Sequence, residues 1–375
     1  MKEAFSYKLP VILCFVGIIL LLVMPIGYEN AGNYTGTIHA QALITDVYND
    51  CIISTGLIKS GEQTCTVEIL TSPFKGQRFD GFNLLNGSLE SDKIFSVGDK
   101  ALVRINYDGD TILSVNLIDH YRMNYEALLA VLFAAFLILF AGPSGLRAIF
   151  SFVFTILCIW KILVPAYLNN YNPIYFGFVI TILLTIMIIS LVYGFDRRCL
   201  SAVSGAGLGI IVTAVLGILF TTQFKIHGAI MPSSESLLYS GYQDLNLTQI
   251  FMASIFIGSS GAIMDLSVDI TSAVYEVVQK KPNISAREAI RSGMNVGRAA
   301  MGTMTTTLLL AYSGGYIALL MVFMAQGTPL SNILNYKYVS AEIIDTIVGS
   351  FGLVTVAPFT AITSGMLLTK KVQKR

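Results

Sequence analysis

The stretch IYFGFVITILLTIMIISLVYGFDRRCLSAVSGAGLGIIVTAVLGILF, residues 174–220, decides the fold. Two uncharged runs, residues 174–194 and 201–220, are each long enough as helices to cross roughly 30 Å of hydrocarbon. The few residues between them hold Asp196, Arg197 and Arg198. A helix at a protein–water boundary keeps a charged face, and these runs have none. The solvent for this part of the chain is lipid, and the chain turns back at a charged loop.

Outward from this pair the pattern repeats. Further apolar runs occupy residues 9–26, 125–141, 146–167, 248–266, 301–325 and 342–369, so about eight spans are expected. Composition agrees: 54% of the 375 residues are hydrophobic and 13% are charged, against about 25% charge in soluble domains. The net charge of +1 gives no electrostatic case for nucleic acid. The first run follows Lys2 and Lys8, exceeds a signal-peptide core in length and is followed by no Ala-x-Ala site, which favours an uncleaved anchor over residues 1–27.

Residues 28–122 read differently. GTIHAQALITDVY, TCTVEIL and DKALVRINYD alternate apolar with polar residues between turn-rich segments such as SPFKGQRFDG and LNGS. About five short strands fit a small all-β domain, here an OB-like barrel between spans one and two. The remaining residues, 123–375, form a seven-span membrane domain. Basic residues set the orientation. Lys2, Lys8, Arg147, Arg197, Arg198, Lys280, Lys281, Arg287, Arg291, Arg298, Lys370, Lys371, Lys374 and Arg375 fall on one side, while the short loops and span ends of the other side, the β domain aside, hold only Arg122, Lys161, Lys225 and Lys337. Both termini are thus expected in the cytoplasm, with the β domain outside it.

Of five cysteines, Cys14, Cys158 and Cys199 lie in or beside apolar runs, as small hydrophobes. Cys51 and Cys65 share the β domain, where a local disulfide is one expectation. His39, His120 and His227 make no metal-ligand spacing, and neither metal nor cofactor is expected. Without a Walker loop, an HExxH or a credible GxSxG, no catalytic residue is assigned and no enzymatic activity is expected.

Four features of the later spans stand out. Ser201, Gly205, Gly209, Thr213 and Gly217 recur every four residues, a spacing that lets another helix pack closely, either as a fixed structural interface or as a sliding surface in a transporter. In GSSGAIMDLSVDITSAVYEVV, Asp265, Asp269, Ser272 and Glu276 share a helix face with Gly258 and Gly261, either as a membrane-buried acidic stripe or as the solvated end of the helix. Arg298, Thr305 and Thr306 lie on the facing helix, where the threonines either meet the carboxylates or bond back to their own backbone. Glu342 and Asp345 open the last span, where the helix dipole favours carboxylates, and Gly349, Gly352 and Pro358 would permit a kink later in it.

The segments GFDRRCLSAVSGAGLG, GSSGAIMDLSVDITSAVYEV and SGMNVGRAAMGTMTTTLLLAYSGG together resemble the YibE/F-like family of bacterial multi-pass membrane proteins, and the β domain is similar to that of its YibE-like members. Where the family pattern reads G-R-D-x-M-G-T-M-x-N-T, Ala299 and Thr306 replace the acidic and amide positions. The resemblance implies a permease-like membrane protein, embedded in the lipid bilayer, as a homo-oligomer or a hetero-oligomer with a YibF-like partner. The expected function is secondary transport or export of a small solute or ion through the acidic stripe. The alternative is a non-transporting scaffold or sensor whose β domain binds an envelope component or a partner protein.

Overall fold

Alternation between Thr37 and His120 builds the amino-terminal sheet of the computed structural model, which describes residues 2–28 and 36–369. The described chain divides into two units, one from residues up to Ile26 and from Ile138 onward, the other from Gly27–Leu137.

In the second unit β1 (Thr37–Thr55), β2 (Ile58–Ile69), β3 (Arg78–Asn86), β4 (Lys100–Asp108) and β5 (Thr111–His120) close into a barrel in the order β1-β2-β3-β5-β4. All pairings are antiparallel except β3 with β5. The five-stranded barrel expected from the alternation is therefore present. Inward residues Ala42, Ile44, Val67, Val103, Ile105 and Val115 are fully buried. Gly81 of β3 faces Leu117 so closely that any Cβ would collide with it.

Two buried amides tie the β3–β4 connection to the strands. Gln63 Oε1 accepts from the Phe95 N–H (3.0 Å) and from Asn83 Nδ2 (3.0 Å), while Gln63 Nε2 donates to the Phe95 carbonyl (3.0 Å). Asn83 Nδ2 also donates to the Lys93 carbonyl (2.7 Å). Residues outside the ladder are thus held in the core as if by a strand, and the Phe95 ring fills the barrel end. The cysteines do not pair. Cys65 faces the core, opposite Val47, whereas Cys51 is exposed and sits opposite Glu62. Burial raises the Cys65 thiol pKa to about 11, so it behaves as a core hydrophobe.

The helices in chain order are α1 (Lys2–Val23), α2 (Met123–Ala141), α3 (Pro143–Cys158), α4 (Val164–Leu168), α5 (Pro173–Tyr193), α6 (Arg197–Gln223), α7 (Ser234–Tyr239), α8 (Leu247–Lys280), α9 (Ala286–Ser313), α10 (Ile317–Ala325), α11 (Leu330–Asn335) and α12 (Lys337–Thr369). A π turn, Ile159–Leu163, joins α3 to α4, and a tight turn, Gly314–Tyr316, joins α9 to α10. Counting each joined pair once, seven of these helices are long and apolar enough to cross a membrane, while the apolar part of α1, Tyr7–Val23, is shorter. Side-chain caps set the starts: Asp196 accepts from the Arg198 and Cys199 N–H groups, and Ser285 with Glu288 forms a capping box on α9.

The core of the helical unit is where α6, α8, α9 and α12 meet. A Cβ on Gly205 would strike Thr360, one on Gly352 would strike Thr213, and Gly209 lies against Val356 and Ile263. Gly293 and Gly297 of α9 approach Ala361 and Ala357 in the same way. Between these contacts runs a hydroxyl chain. Ser201 Oγ lies 2.7 Å from Ser364 Oγ, Thr271 Oγ1 3.1 Å from the same oxygen, Thr360 donates to Ser267 (3.1 Å), and Ser267 donates to the Ala202 carbonyl (2.7 Å). Ser201, Ser267, Thr271, Thr360 and Ser364 are all fully buried.

The acidic segment continues span 248–266 as one helix, α8, as the shared helix face required, because nothing before Lys281 interrupts it. Two elements differ from the sequence expectation. The run 301–325 is broken at Gly314. Helix α12 begins at Lys337 instead of residue 342 and passes through Pro358 unbroken.

If close approach holds the bundle, Gly205→Ala should destabilise the protein by about 1–3 kcal/mol through overpacking against Thr360. Gly302→Ala, where a Cβ meets open space, should stay within about 0.5 kcal/mol of wild type in thermal unfolding in detergent. In the barrel, Gln63→Leu strands the Phe95 backbone and should cost about 2 kcal/mol, read as faster amide exchange at Phe95.

Candidate functional site

On α8, Gly258, Gly261, Asp265, Asp269, Ser272 and Glu276 all lie on the exposed side of the helix, opposite a fully buried face that includes Ile263, Leu266 and Ile270. The stripe is divided by its partners. Glu276 pairs with Lys280 one turn on (2.6 Å). Ser272 Oγ lies 2.6 Å from Tyr193 Oη, which also donates to the Val268 carbonyl (2.6 Å). Arg198, held by Asp196 (2.7 Å), stacks on Tyr275 with its guanidinium carbon 4.5 Å from the ring centroid. Among the described residues neither Asp265 nor Asp269 has an ion-pair partner.

The facing helix does not reach them. Arg298 is exposed, Thr305 donates to the Met301 carbonyl (2.9 Å) and Thr306 to the Gly302 carbonyl (3.4 Å). The two hydroxyls serve their own helix. The structure keeps Asp265 and Asp269 together on one face, and among the described residues Arg298, Thr305 and Thr306 make no ion pair or hydrogen bond to them. Ser201, Gly205, Gly209, Thr213 and Gly217 are buried in the α6 seam.

A second pair of carboxyls is enclosed more tightly. Because α12 starts at Lys337, Glu342 and Asp345 stand in its second and third turns, beyond the reach of a dipole effect that fades within the first turn. At about 100° per residue, Tyr338, Glu342, Asp345, Thr346 and Gly349 lie within roughly one third of the helix circumference. Gly349 contacts Leu308 of α9 and Ser259 of α8, so this face is directed into the bundle. Glu342 Oε1, Asp345 Oδ1 and Thr346 Oγ1 are buried without a hydrogen-bond partner, and no other segment of the described residues gathers three such atoms. Thr346 as a whole is 8% exposed.

Tyrosines complete the surroundings. Tyr312 and Tyr316 at the end of α9 stand within electrostatic reach of both Glu342 and Asp345. The Tyr312 hydroxyl lies over Gly258, where a Cβ would come within 2.7 Å of it. Gly258 is the first residue of the α8 stripe, about two turns before Asp265, so Tyr312 stands between the α12 carboxyls and the start of that stripe. On the sequence alone Glu342 and Asp345 take a helix-start role because the apolar run begins beside them. The available signal was that KYVSA, residues 337–341, is itself compatible with helix and pushes both carboxylates inward.

Chemically, two carboxyls and a hydroxyl with unfilled lone pairs can accept a proton or bind a cation. Among the described residues no three His, Cys, Asp or Glu side chains are grouped to hold a metal ion.

The profile of the YibE/F-like protein family matches residues 129–370, a span that takes in both acidic groups and leaves the barrel outside. The chain belongs to that family. No curated protein and no solved structure matches it.

The unpartnered state of Thr346 can be tested against a partnered neighbour. Thr346→Val removes an orphan hydroxyl and should leave the melting temperature unchanged or raised. Thr360→Val breaks the bond to Ser267 and should cost about 1–3 kcal/mol in the same thermal measurement.

Proposed function

We propose that this member of the YibE/F-like family is an ion-coupled permease that moves a small solute or ion across the bacterial cytoplasmic membrane. Glu342, Asp345 and Thr346 form the binding site, and Asp265 and Asp269 of α8 form a second station toward the cytoplasm. The reading rests above all on the three buried, unpartnered polar atoms in one face of α12. Inside a bilayer an uncompensated carboxylate is expensive, so such a cluster is retained where a proton, a cation or water fills it.

The proposed topology adds α1 to the seven longer helices, gives eight spans, and places both termini in the cytoplasm and the barrel outside. The uneven distribution of lysine and arginine supports it. In that frame Glu342 and Asp345 belong to the outer half of the bundle. Along α8, Asp265 and Asp269 lie about 10 and 16 Å beyond Gly258, at 1.5 Å per residue. A cation released at Tyr312 thus has carboxylates ahead of it across the inner half. The donor set offers binding and transfer without a nucleophile–base pair, so no catalysis is proposed.

The barrel supports a second role alongside transport. Tyr48 and Phe82 flank Thr64 on neighbouring strands, and with Leu84 they present exposed apolar side chains outward. This is a face suited to an envelope component or partner protein. Removing residues 36–120 should leave residual flux if the bundle is the transporter, and should abolish all function if the chain is only a receptor.

The central test uses the full chain in proteoliposomes carrying an imposed pH gradient. Addition of a monovalent cation, tested as sodium, potassium and an organic ammonium in parallel, should dissipate the gradient for at least one of them. Asp345→Asn should slow this by at least about tenfold, as expected for loss of a required charge, and Asp265→Asn should slow it less. Wild-type rates in both Asp345→Asn and Glu342→Gln would remove the basis of the proposal.

A further inference from the structure

Beside the α12 carboxylates the helical unit contains a cavity of about 570 Å³, lined by Met231, Ser233, Glu235, Gly315, Tyr316 and Tyr338 among others. Its volume suits a small organic molecule and far exceeds what a bare inorganic ion needs. The lining includes one carboxylate, Glu235, and no basic side chain.

The cavity leads to the acidic site through its own walls. Tyr338 precedes Glu342 by one turn on the same face of α12, about 6 Å along the axis. Tyr316 lines the cavity and stands within electrostatic reach of Glu342, Asp345 and Tyr338. Deeper on that face lies Thr346, more than nine-tenths buried and with its hydroxyl unpartnered. Aromatic walls at the mouth and carboxyls behind them are what a weakly hydrated cation requires: π faces replace its water, and the carboxylates balance its charge. The molecule already contains an example, since the Lys337 ammonium sits 5.3 Å from the centroid of the Tyr338 ring.

We propose that the solute handled at the Glu342–Asp345 site is an organic ammonium ion, a protonated amine or a quaternary ammonium, admitted through this cavity past Tyr316 and Tyr338. This rests on the permease reading above and adds the solute class to it. The Lys337 ammonium then occupies a ring face that the solute has to share, and its charge opposes entry.

The test is thermal stabilisation of the full chain in nanodiscs by benzyltrimethylammonium, compared with sodium at equal ionic strength. Saturable stabilisation is expected for wild type. Tyr338→Ala and Tyr316→Ala should each weaken the apparent Kd about tenfold, while the corresponding Phe variants, which keep the π face, should bind as wild type does. Lys337→Ala should bind more tightly, and Asp345→Asn should not be stabilised. Stabilisation by sodium alone, abolished by Asp345→Asn, would overturn the ammonium assignment and leave the permease reading standing. Benzyltrimethylammonium binding that ignores both alanine variants would overturn the entry route. Failure of both cations to stabilise wild type would overturn this proposal, and the permease reading would then stand or fall on the proteoliposome rates.

Discussion

The distance at which α12 can lie against α6, α8 and α9 governs most of the helical unit. Lipid tails are as apolar as the side chains they solvate, so burial does not drive helices together as it does in water, and close backbone contact must supply the attraction. Gly205, Gly209 and Gly352 remove the side chains that would hold α6 and α12 apart, and Gly293 and Gly297 do the same for α9. The hydroxyls between these glycines then find one another. Ser267–Thr360 and Thr271–Ser364 have the same sequence separation of 93 residues, which means that α8 and α12 run parallel and in register over this part.

That seam divides α12 into two chemically different halves. From Gly352 to the end of the helix, the buried hydroxyls of Thr360, Thr363 and Ser364 all have partners. From Glu342 to Thr346, three buried polar atoms have none. The same helix, in the same low-dielectric surroundings, is satisfied at one end and unsatisfied at the other. A half-satisfied polar cluster is worse for stability than an apolar one, so its presence is an argument for binding rather than for folding. Gly349 marks the boundary, where α8 and α9 come close enough to enclose the carboxyls without bonding to them.

Much of the fold was legible in the residues because its signals are local. Uncharged runs of about twenty residues mark helices that fit a bilayer, and alternation with turn residues marks the barrel strands. The site was less legible because it depends on where a helix begins and on what lies across from it. Residues 337–341 are neither strongly apolar nor strongly helix-breaking, so hydropathy alone starts the span at Glu342 and turns two interior carboxylates into caps. The α8 stripe was visible as a periodicity, yet only coordinates reveal that Ser272 is engaged by Tyr193 and Glu276 by Lys280, leaving Asp265 and Asp269 as its unpaired members. Thr305 and Thr306 looked like partners for those carboxylates, but a threonine in a helix can always reach its own backbone, and both do.

The two acidic groups differ in a way that suits different tasks. Asp265 and Asp269 lie on an open face, with Gly261 beside them and Gly302 on α9 both looking onto empty space. A carboxylate at membrane depth that faced hydrocarbon would cost about 2.5–3.5 kcal/mol, so under the proposed topology this open face has to meet water or another subunit. There a carboxylate can exchange its ion readily and holds it weakly. Glu342 and Asp345 are enclosed, and a charge that reaches them loses its water and gains two carboxyls and a hydroxyl in a low dielectric, which strengthens every contact. Under the permease reading, tight binding at an enclosed site and loose exchange along an open one are the two ends of a transport path, with Tyr312 between the α12 carboxyls and Gly258, where the α8 stripe starts. A hydroxyl that can donate and accept is well placed at that boundary, because it can replace a departing water on either side without itself carrying charge.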